Sequence, residues 1–272
     1  MDKKIALITG ASSGIGKETA LELSQYGFTV YAAARRVDRM QELLKENIHP
    51  IALDVTDEDS MIHGVDEILK KEGRIDILVN CAGYGSYGAI EDVPLEEARR
   101  QFEVNLFGLS RLIQLVLPSM RKYRYGKIVN ISSMGGKIWT RFGGWYHAAK
   151  FAVEGFSDCL RLELEPFGID VIVVEPGGIK TDWGIIAANN LIKNSANGAY
   201  ASAANHTAEG MIKNYTGNQL SDPKIISRTI LRAVTARHPK TRYLVGFMAK
   251  PMVFIKNLFG DRAFDKIIKR FS

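Results

Sequence analysis

Short apolar runs alternate with longer segments of helical spacing along most of this chain. Seven runs have the length of buried strands, and they lie at residues 5–9, 29–34, 48–53, 75–80, 126–132, 170–175 and 242–245. After the first run, Ala20, Leu21 and Leu23 recur at helical spacing before a stop at Gly27. This alternation predicts an α/β fold: a doubly wound parallel sheet of about seven strands with helices on both faces, in three layers.

Two later segments depart from this alternation. Residues 182–220 are rich in Ala, Asn, Gly and Ser, which predicts a mobile lid with one or two helices. Residues 250–272 contain apolar positions at 264, 267, 268 and 271, the spacing of an amphipathic helix. With 272 residues, of which 46% are hydrophobic, the chain can bury one large core, so we expect a single domain over 1–272.

A glycine-rich turn connects the first predicted strand with the first predicted helix. Its sequence is Thr9-Gly10-Ala11-Ser12-Ser13-Gly14-Ile15-Gly16. Glycines let backbone amides approach a pyrophosphate with no Cβ in the way, and the N-terminus of the following helix favours negative charge. The strand, turn, helix and second strand together have the length of a Rossmann-type dinucleotide-binding unit. An ordinary solvent-exposed turn is the alternative interpretation.

Residues that can move a proton follow in the second half of the predicted sheet. Tyr146 and Lys150 are four residues apart, which places a phenol and an ammonium on one face of a helix. Such an ammonium favours the phenolate and so lowers the pKa of the tyrosine from its ordinary value of about 10. Ser133 lies thirteen residues before Tyr146, at the end of a strand, and Asn105 lies in a helical segment. Taken singly, these residues suit a surface pair, a strand end and a helical asparagine equally well.

Taken together, these motifs and their spacing resemble those of a classical short-chain dehydrogenase/reductase over nearly the whole chain. Three residues and then one separate the glycines, as in classical members of that family, whereas extended members have two and two. The resemblance implies that Asn105, Ser133, Tyr146 and Lys150 are the catalytic residues. In that family the tyrosine donates and accepts the proton, and the serine bonds the substrate oxygen. The lysine also holds the nicotinamide ribose, and the asparagine holds a water that links the lysine to solvent.

The same resemblance implies a set of cofactor contacts. They are Gly10, Ser12, Ser13, Gly14, Ile15, Gly16, Asp54, Val55, Asn80, Ala82, Gly83, Tyr146, Lys150, Pro176, Gly177, Ile179 and Thr181. Asp54 would bond the adenine amino group, and a helix cap or turn acid is the alternative. Cys81 replaces the second asparagine of the family's Asn-Asn-Ala-Gly turn, which removes one amide that ties strands together. The turn that begins at Pro176 would lie against the nicotinamide.

Two arginines at the end of the second strand bear on the choice of cofactor. An acid at this place would bond the ribose hydroxyls of NAD and repel a 2′-phosphate, but the chain has Arg35 and Arg36. Two guanidiniums and no acid predict NADP as the cofactor. Arg35 would bind the 2′-phosphate, and Arg36 would stack on the adenine or make a second contact. A solvated arginine pair is the alternative.

The predicted activity is the NADP-dependent interconversion of a carbonyl and a primary or secondary alcohol by hydride transfer. A bulky, apolar substrate, steroid- or retinoid-like, is an alternative within the enzymes. It is suggested by apolar residues near the catalytic segment and lid: Trp139, Phe142, Trp145, Trp183, Ile185 and Ile186. A non-catalytic nucleotide-sensing scaffold is the alternative of a different class, and the presence of both Tyr146 and Lys150 disfavours it. The resemblance also implies a homodimer or homotetramer, formed through the helices that carry Asn105 and Tyr146.

Composition narrows the compartment and the partners. The first strand starts so early that no signal peptide fits, and no uncharged apolar stretch is long enough to span a membrane, so we expect a cytoplasmic protein. Cys81 and Cys159 lie far apart inside apolar elements, which predicts two small core residues, with no disulfide and no metal site. We expect a small-molecule substrate and no nucleic-acid partner.

The net charge of +6 is distributed unevenly. Residues 223–272 contain twelve Lys and Arg and two acids, which is a local charge of +10. We favour a basic terminal helix that packs over the substrate cleft or a neighbouring subunit, with its lysines in water. Reversible docking on an anionic membrane surface is the alternative.

Overall fold

A computed structural model describes residues 4–271 of this chain, apart from the side chain of residue 271. Within that range the strands form one sheet. They are β1 Ile5–Thr9, β2 Thr29–Ala34, β3 Ile48–Ala52, β4 Ile77–Asn80, β5 Gly126–Ile131, β6 Ile169–Pro176 and β7 Arg242–Val245. Their order across the sheet is β3-β2-β1-β4-β5-β6-β7, and every neighbouring pair is parallel. The predicted Rossmann-type parallel sheet is therefore confirmed.

Helices cover both faces of the sheet. They are α1 Gly14–Tyr26, α2 Glu58–Glu72, α3 Leu95–Phe102, α4 Gly108–Tyr123, α5 Gly144–Leu164, α6 Trp183–Ser195, α7 Ala201–Thr216, α8 Lys224–Thr235 and α9 Ala249–Phe271. On one face, α1 and α8 bury apolar residues such as Leu23 and Ile230 against the strands. On the other face, α2, α4 and α5 do the same with residues such as Val65, Leu112 and Val153. The three predicted layers are thus present.

The position of the site follows from the strand order, which changes direction between β1 and β4. The chain runs outward from β1 to β3 and then returns to β4 on the other side of β1, so the carboxyl ends of β1 and β4 border a crevice. The Thr9 hydroxyl at the end of β1 accepts hydrogen bonds from the backbone amides of Cys81 and Ala82, each at 3.1 Å. A hydroxyl therefore fixes the loop after β4, at the place where the chain has Cys81 in place of the family's asparagine.

Strand boundaries differ slightly from those predicted. β4 begins at Ile77, two residues later than expected, because Asp76 serves as an anchor between strands. Its carboxylate accepts a hydrogen bond from the Ile5 amide at 2.9 Å and pairs with the guanidinium of Arg74. A buried carboxylate needs such partners. The backbone of Asp76 bonds to both neighbours, since its amide donates to the Ile5 carbonyl and its carbonyl accepts from the Lys127 amide, each at 2.9 Å. β7 lies at one edge of the sheet, and Pro239, which has no amide hydrogen to donate, comes shortly before it.

The predicted lid contains two helices, α6 and α7, which pack on each other and on Tyr87 and Tyr146. Its mobility stays a prediction. The terminal helix α9 is interrupted at Gly260, where φ is 72° and ψ is −177°, so it consists of two segments. Phe264 and Ile268 in the second segment are buried against Ile138 and other residues, and residue 271 lies outside the described side chains.

One prediction about the cysteines is wrong. Cys159 is exposed on α5, because the turn of the helix directs this position away from the sheet, and Cys81 is only partly buried. Both are free thiols. Burial raises the pKa of the Cys81 thiol to about 12, so Cys81 stays protonated at neutral pH.

Candidate active site

The glycine-rich turn forms one wall of the crevice at the end of β1. Gly10 and Gly14 have φ values of 65° and 54°, the left-handed region that favours glycine. A Cβ on Gly16 would lie 2.4 Å from the carbonyl oxygen of Gly10, so only glycine allows α1 to start this close to the turn. The side chain of Ser13, directly before α1, makes no capping hydrogen bond. The first amides of α1 can therefore bind an anion such as a pyrophosphate.

The turn after β6 lies opposite the glycine-rich turn. A methyl group on Gly14 would lie 3.2 Å from Cγ2 of Thr181, so the two turns face each other at close range. The turn is fixed to the loop after β7, because the Gly177 amide donates to Val245 at 2.8 Å and the Gly178 amide to Phe247 at 2.9 Å. Pro176 and Ile179 are buried beneath it. The structure thus brings together two motifs, predicted to contact the cofactor, that lie about 165 residues apart in the sequence.

The other residues proposed for the adenine and ribose have mixed surroundings. The Asn80 side chain is buried and donates to Oδ1 of Asn130 at 2.9 Å, so it ties β4 to β5, and any cofactor contact would come from its backbone. Asp54 accepts from the amide of Thr56 at 2.9 Å, which corresponds to the turn-acid alternative. Val55 is buried beside it. Ala82 and Gly83 border the crevice after β4, close to Asn105 and Lys150.

Arg35 and Arg36 are both exposed directly after β2. Within residues 4–271 neither guanidinium forms an ion pair with a carboxylate. Burial raises the pKa of Tyr84, and Arg35 is one of the charges that oppose this rise, so Arg35 faces the loop after β4. An unpaired guanidinium at the rim of the crevice can bind a phosphate group.

Tyr146 lies near the start of α5, where the phenol is 7% exposed. Burial raises the pKa of Tyr146 far above its ordinary value, and a hydrogen bond with Ser133 opposes part of the rise. The net direction is opposite to the one predicted from the nearby lysine. The largest cause is desolvation of the phenolate, and the neighbouring phenols of Tyr87 and Tyr215 raise the pKa further. The phenol is consequently protonated at neutral pH.

Lys150 follows Tyr146 by one turn of α5 and is buried. Its Nζ lies 6.0 Å from the centre of the Tyr146 ring and donates a hydrogen bond to the carbonyl oxygen of Ile131 at 2.8 Å. Burial lowers the pKa of Lys150 to about 8, and the charge of Glu154 is among the interactions that oppose this shift. Lys150 and Tyr146 therefore share one helix face, as their spacing predicted.

Ser133 lies just after β5, where its hydroxyl accepts a hydrogen bond from the Gly135 amide at 3.0 Å. This bond caps a single 3₁₀ turn over Met134–Gly136. Because the oxygen already accepts from the Gly135 amide, the Ser133 proton remains for a second partner. The carbonyl oxygen of Pro176 lies 3.4 Å away.

Asn105 lies in a single π-helical turn, Glu103–Phe107, between α3 and α4. Its amide nitrogen donates to the Tyr84 carbonyl at 3.0 Å, and its Oδ1 accepts from the Tyr84 amide at 3.1 Å. The side chain is buried and close to Gly83, where an added Cβ would lie 3.2 Å from Oδ1 and 3.8 Å from Nζ of Lys150. Such helical irregularities are frequent at functional sites.

His147 is a supporting residue that the sequence analysis did not identify. It is buried next to Tyr146, and burial lowers its pKa. Its Nδ1 lies 2.9 Å from the Gly135 carbonyl oxygen, and its Nε2 lies 3.0 Å from the Thr140 amide. The imidazole therefore fixes the loop that follows Ser133 to the helix that carries Tyr146. The signal in the sequence, a histidine inside the Tyr-to-Lys motif, becomes informative only when the loop is folded back onto α5.

Aromatic rings surround the Tyr146 phenol. The ring centre of Trp183, at the start of the lid, lies 4.9 Å from that of Tyr146, and the Tyr87 ring lies at 6.0 Å. Tyr215 from α7 is 6.3 Å from Trp183. Tyr87 and Tyr215 were not predicted, because they come from a loop and a lid helix that have no spacing relationship to the catalytic motif.

The other residues of the predicted aromatic cluster divide between several places. Phe142 packs against the apolar cluster that includes Tyr146. Trp139 packs on Phe264 of α9, with ring centres 5.5 Å apart. Trp145 faces a small cavity of about 300 Å³ beside α3. Ile186 is exposed.

The described residues offer neither a cluster of metal ligands nor a helix that could span a membrane. Residues 4–271 contain no group of three or more His, Cys, Asp or Glu side chains arranged to hold a metal ion. In the same range, no helix has the length and apolar character required to cross a membrane.

Comparisons with known proteins agree with this fold. A family model described as short chain dehydrogenase matches residues 4–190. A probable short-chain type dehydrogenase/reductase from Helicobacter pylori is 35% identical, with 97% of this chain and 96% of that protein covered. A 3-ketodihydrosphingosine reductase from Bacteroides thetaiotaomicron is 45% identical over 67% of this chain and 66% of that protein.

Solved structures give the same result. A short-chain dehydrogenase from Streptomyces avermitilis has a TM-score of 0.82 and 31% identity, with 100% of this chain and 99% of that chain covered. Related solved structures include complexes with NADP+ and with NAD. The chain belongs to the short-chain dehydrogenase/reductase family of oxidoreductases.

Proposed function

We propose that this protein is an NADP(H)-dependent oxidoreductase that interconverts a carbonyl and an alcohol, and that it works mainly as a carbonyl reductase. The observation that carries the proposal is the Tyr146 phenol, which is buried with its ring centre 6.0 Å from Nζ of Lys150 and is kept protonated because burial raises its pKa. A protonated phenol is a proton donor, and carbonyl reduction needs a donor at the substrate oxygen.

Each residue of the proposed catalytic set has a role that suits its surroundings. Tyr146 would donate its proton to the substrate oxygen, and Ser133 would donate a hydrogen bond to the same oxygen as negative charge develops. Lys150 is cationic below its pKa of about 8, and its charge would stabilise the phenolate that remains. Asn105 would hold a water beside Lys150 through which the proton is replaced. The nicotinamide, when bound, supplies the hydride.

Cofactor binding is proposed on the two facing turns. The glycine-rich turn and the free first turn of α1 would bind the pyrophosphate, and the residues from Pro176 to Thr181 would border the nicotinamide. Backbone atoms of Asn80, Ala82 and Gly83 would approach the ribose, and Asp54 and Val55 the adenine. Arg35 and Arg36, exposed and without carboxylate partners in the described range, would select NADP through its 2′-phosphate.

The test is NADPH oxidation across a panel of aldehydes, ketones and diketones of graded size, repeated with NADH. We expect turnover with at least one carbonyl class and a higher kcat/KM with NADPH. Tight NADPH binding with no turnover across the panel would instead favour the nucleotide-sensing scaffold.

A lipophilic ketone is the substrate class that we propose within this activity. The phenol of Tyr146 is surrounded by Trp183, Tyr87 and Tyr215, so the place where a substrate must approach is apolar on several sides. The 45% identity with a protein named 3-ketodihydrosphingosine reductase points in the same direction. Long-chain β-keto amino alcohols and steroid- or retinoid-like ketones therefore belong in the panel beside small carbonyls.

The remaining proposals concern organisation. Phe107, Phe151 and Leu162 are exposed by 54%, 43% and 67% on or next to α4 and α5, which supports a homodimer or homotetramer through these helices. Light scattering of the purified chain tests the oligomer. We further propose a single domain with a lid over 182–220, and a location in the cytoplasm, which cell fractionation tests.

A further inference from the structure

The first segment of α9 leaves a row of apolar side chains in water. Phe254 and Leu258 are 63% and 60% exposed, and they lie four residues apart on one helix face. Pro251 lies one turn before Phe254, and Phe247, 39% exposed, precedes the helix and lines the same groove as Pro251. We call these four residues, Phe247, Pro251, Phe254 and Leu258, the α9 apolar stripe. Contiguous exposed apolar surface of this kind marks an interaction site.

The start of the α9 apolar stripe borders an open groove of about 1100 Å³. The opposite wall of the groove is α8, which presents Lys224, Arg228 and Arg232 at successive turns. Lys250 stands on the α9 side, so four cations line the groove together with apolar residues such as Ile225 and Leu244. Cations and exposed apolar side chains thus share one surface.

The groove is lined by four cations and one carboxylate. None of the four forms an ion pair with a carboxylate within residues 4–271. One carboxylate, Asp222, lines the groove, and it accepts a hydrogen bond from the Lys224 amide at 2.8 Å at the beginning of α8. Like charges one turn apart on a helix repel each other, so the surface has a positive potential that favours an anionic partner.

The groove cations and the α9 apolar stripe together favour an anionic phospholipid surface over a second copy of this chain as the partner. In a two-fold dimer through this surface, the same patch of each copy would contact the other. The four cations of one copy would then face the four cations of its partner. An anionic phospholipid surface has the complementary arrangement, because headgroups attract the cations while apolar side chains enter the acyl boundary. We propose that the α9 apolar stripe and the groove cations dock this protein reversibly on an anionic membrane surface.

The proposal changes the face that the sequence indicated for such docking. The predicted apolar positions 264 and 268 are buried against the loop after β5, so they cannot enter a bilayer. The exposed apolar face belongs to the segment before Gly260 instead. Docking would be peripheral, since the residues involved lie on one exposed face of one helix and on the neighbouring α8.

The experiment is sedimentation of the purified full chain with vesicles. Phosphatidylcholine vesicles are compared with vesicles in which about a third of the lipid is phosphatidylglycerol. We expect binding to the anionic vesicles at low salt, little binding to the neutral ones, and loss of binding at about 1 M salt, where charges are screened beyond about 3 Å. At about 1 kcal/mol per cation, the triple variant Lys224→Gln/Arg228→Gln/Lys250→Gln should bind on the order of a hundredfold more weakly.

A second variant and two matched controls separate the components. Phe254→Ser/Leu258→Ser should weaken binding by about tenfold or more through lost apolar insertion. Tyr26→Ser/Leu44→Ser removes an aromatic and a leucine of similar exposure, 61% and 53%, on other elements, and should not change binding. The control for charge removes three exposed cations near β3 and α2 with the triple variant Arg39→Gln/Lys45→Gln/Lys70→Gln. Circular dichroism and the melting temperature verify that every variant folds.

Several results would overturn the proposal. One is the absence of binding by the wild type to anionic vesicles at low salt. Another is equal weakening by the groove variant and the charge control, which would show a general effect of net charge. A third is a wild type that does not bind vesicles but self-associates, with the self-association abolished in the Phe254→Ser/Leu258→Ser variant. The stripe would then be covered by a second copy of the chain.

Discussion

The ammonium of Lys150 donates a hydrogen bond to the backbone carbonyl oxygen of Ile131 at 2.8 Å, from a buried position 6.0 Å from the centre of the Tyr146 ring. The bond fixes the lysine of α5 to the last residue of β5, the strand that leads into Ser133. Burial lowers the pKa of Lys150 to about 8 because a charged ammonium loses its hydration there. The site therefore keeps a cation where the folded chain would be more stable without one.

The first prediction is that Lys150→Met stabilises the fold at neutral pH and abolishes activity. An unfolded lysine has a pKa of about 10.4, so between about pH 8 and pH 10.4 the unfolded chain binds more protons than the folded one. Wild-type stability contributed by this group therefore rises with pH through that window and is lowest below it. The penalty removed at pH 7 is at most about 3 kcal/mol, reduced by about 1 kcal/mol for the lost hydrogen bond to Ile131.

Urea unfolding of wild type and Lys150→Met at pH 7 and pH 10 measures this effect. We expect the stability difference to shrink at pH 10. The control is Lys240→Met, an exposed lysine whose replacement should give the same small difference at both pH values. A Lys150→Met effect that does not depend on pH would contradict the buried-cation interpretation.

The second prediction concerns the proton donor. Tyr146→Phe should lower kcat/KM by at least about a hundredfold, because it removes the donor while it leaves the shape of the site intact. NADPH binding, followed by cofactor fluorescence, should change little. Tyr87→Phe is the control, because it removes the same hydroxyl group from a neighbouring tyrosine. Retention of more than about a tenth of the activity by Tyr146→Phe would mean that another group donates the proton.

The third prediction concerns cofactor selection. Arg35→Asp should raise KM for NADPH by about tenfold or more, since a charge-assisted phosphate contact contributes about 1.5 to 3 kcal/mol. It should also improve use of NADH, because a carboxylate at this place can bond the ribose hydroxyls. Arg237→Asp makes the same charge change on an exposed residue far from the glycine-rich turn and should affect neither cofactor. Equal wild-type efficiency with NADPH and NADH would refute the assignment.

The fourth prediction concerns the lid. Trp183→Ala removes the indole whose ring centre lies 4.9 Å from that of Tyr146, so it opens space above the phenol. A small carbonyl loses an apolar wall and about 1 to 2 kcal/mol of contact, whereas a bulky ketone gains room. The ratio of kcat/KM for bulky over small substrates should rise by about tenfold. Trp145→Ala removes an indole that faces a cavity beside α3 and should leave that ratio unchanged.

Much of the catalytic set could be proposed from the sequence, because it depends on local spacing. A residue pair at i and i+4 shares a helix face wherever the helix lies, so Tyr146 and Lys150 were paired correctly. The glycine-rich turn was recognisable because its function depends on backbone conformation within eight residues. The short apolar runs that alternate with helical segments predicted the parallel sheet, because buried parallel strands are apolar on both faces.

Only the tertiary structure decided the properties that depend on distant segments and on burial. The sequence placed a cation near a phenol and predicted a lowered pKa, but the depth of both groups reverses the direction for Tyr146, since desolvation is set by everything packed around them. Tyr87 and Tyr215 come close to the catalytic segment from a loop and a lid helix, which share no sequence periodicity with it. The exposed face of α9 likewise depends on the tertiary structure, because Phe264 and Ile268 are buried against Ile138. Residue spacing determines local geometry, whereas burial and contacts between distant segments depend on the folded chain as a whole.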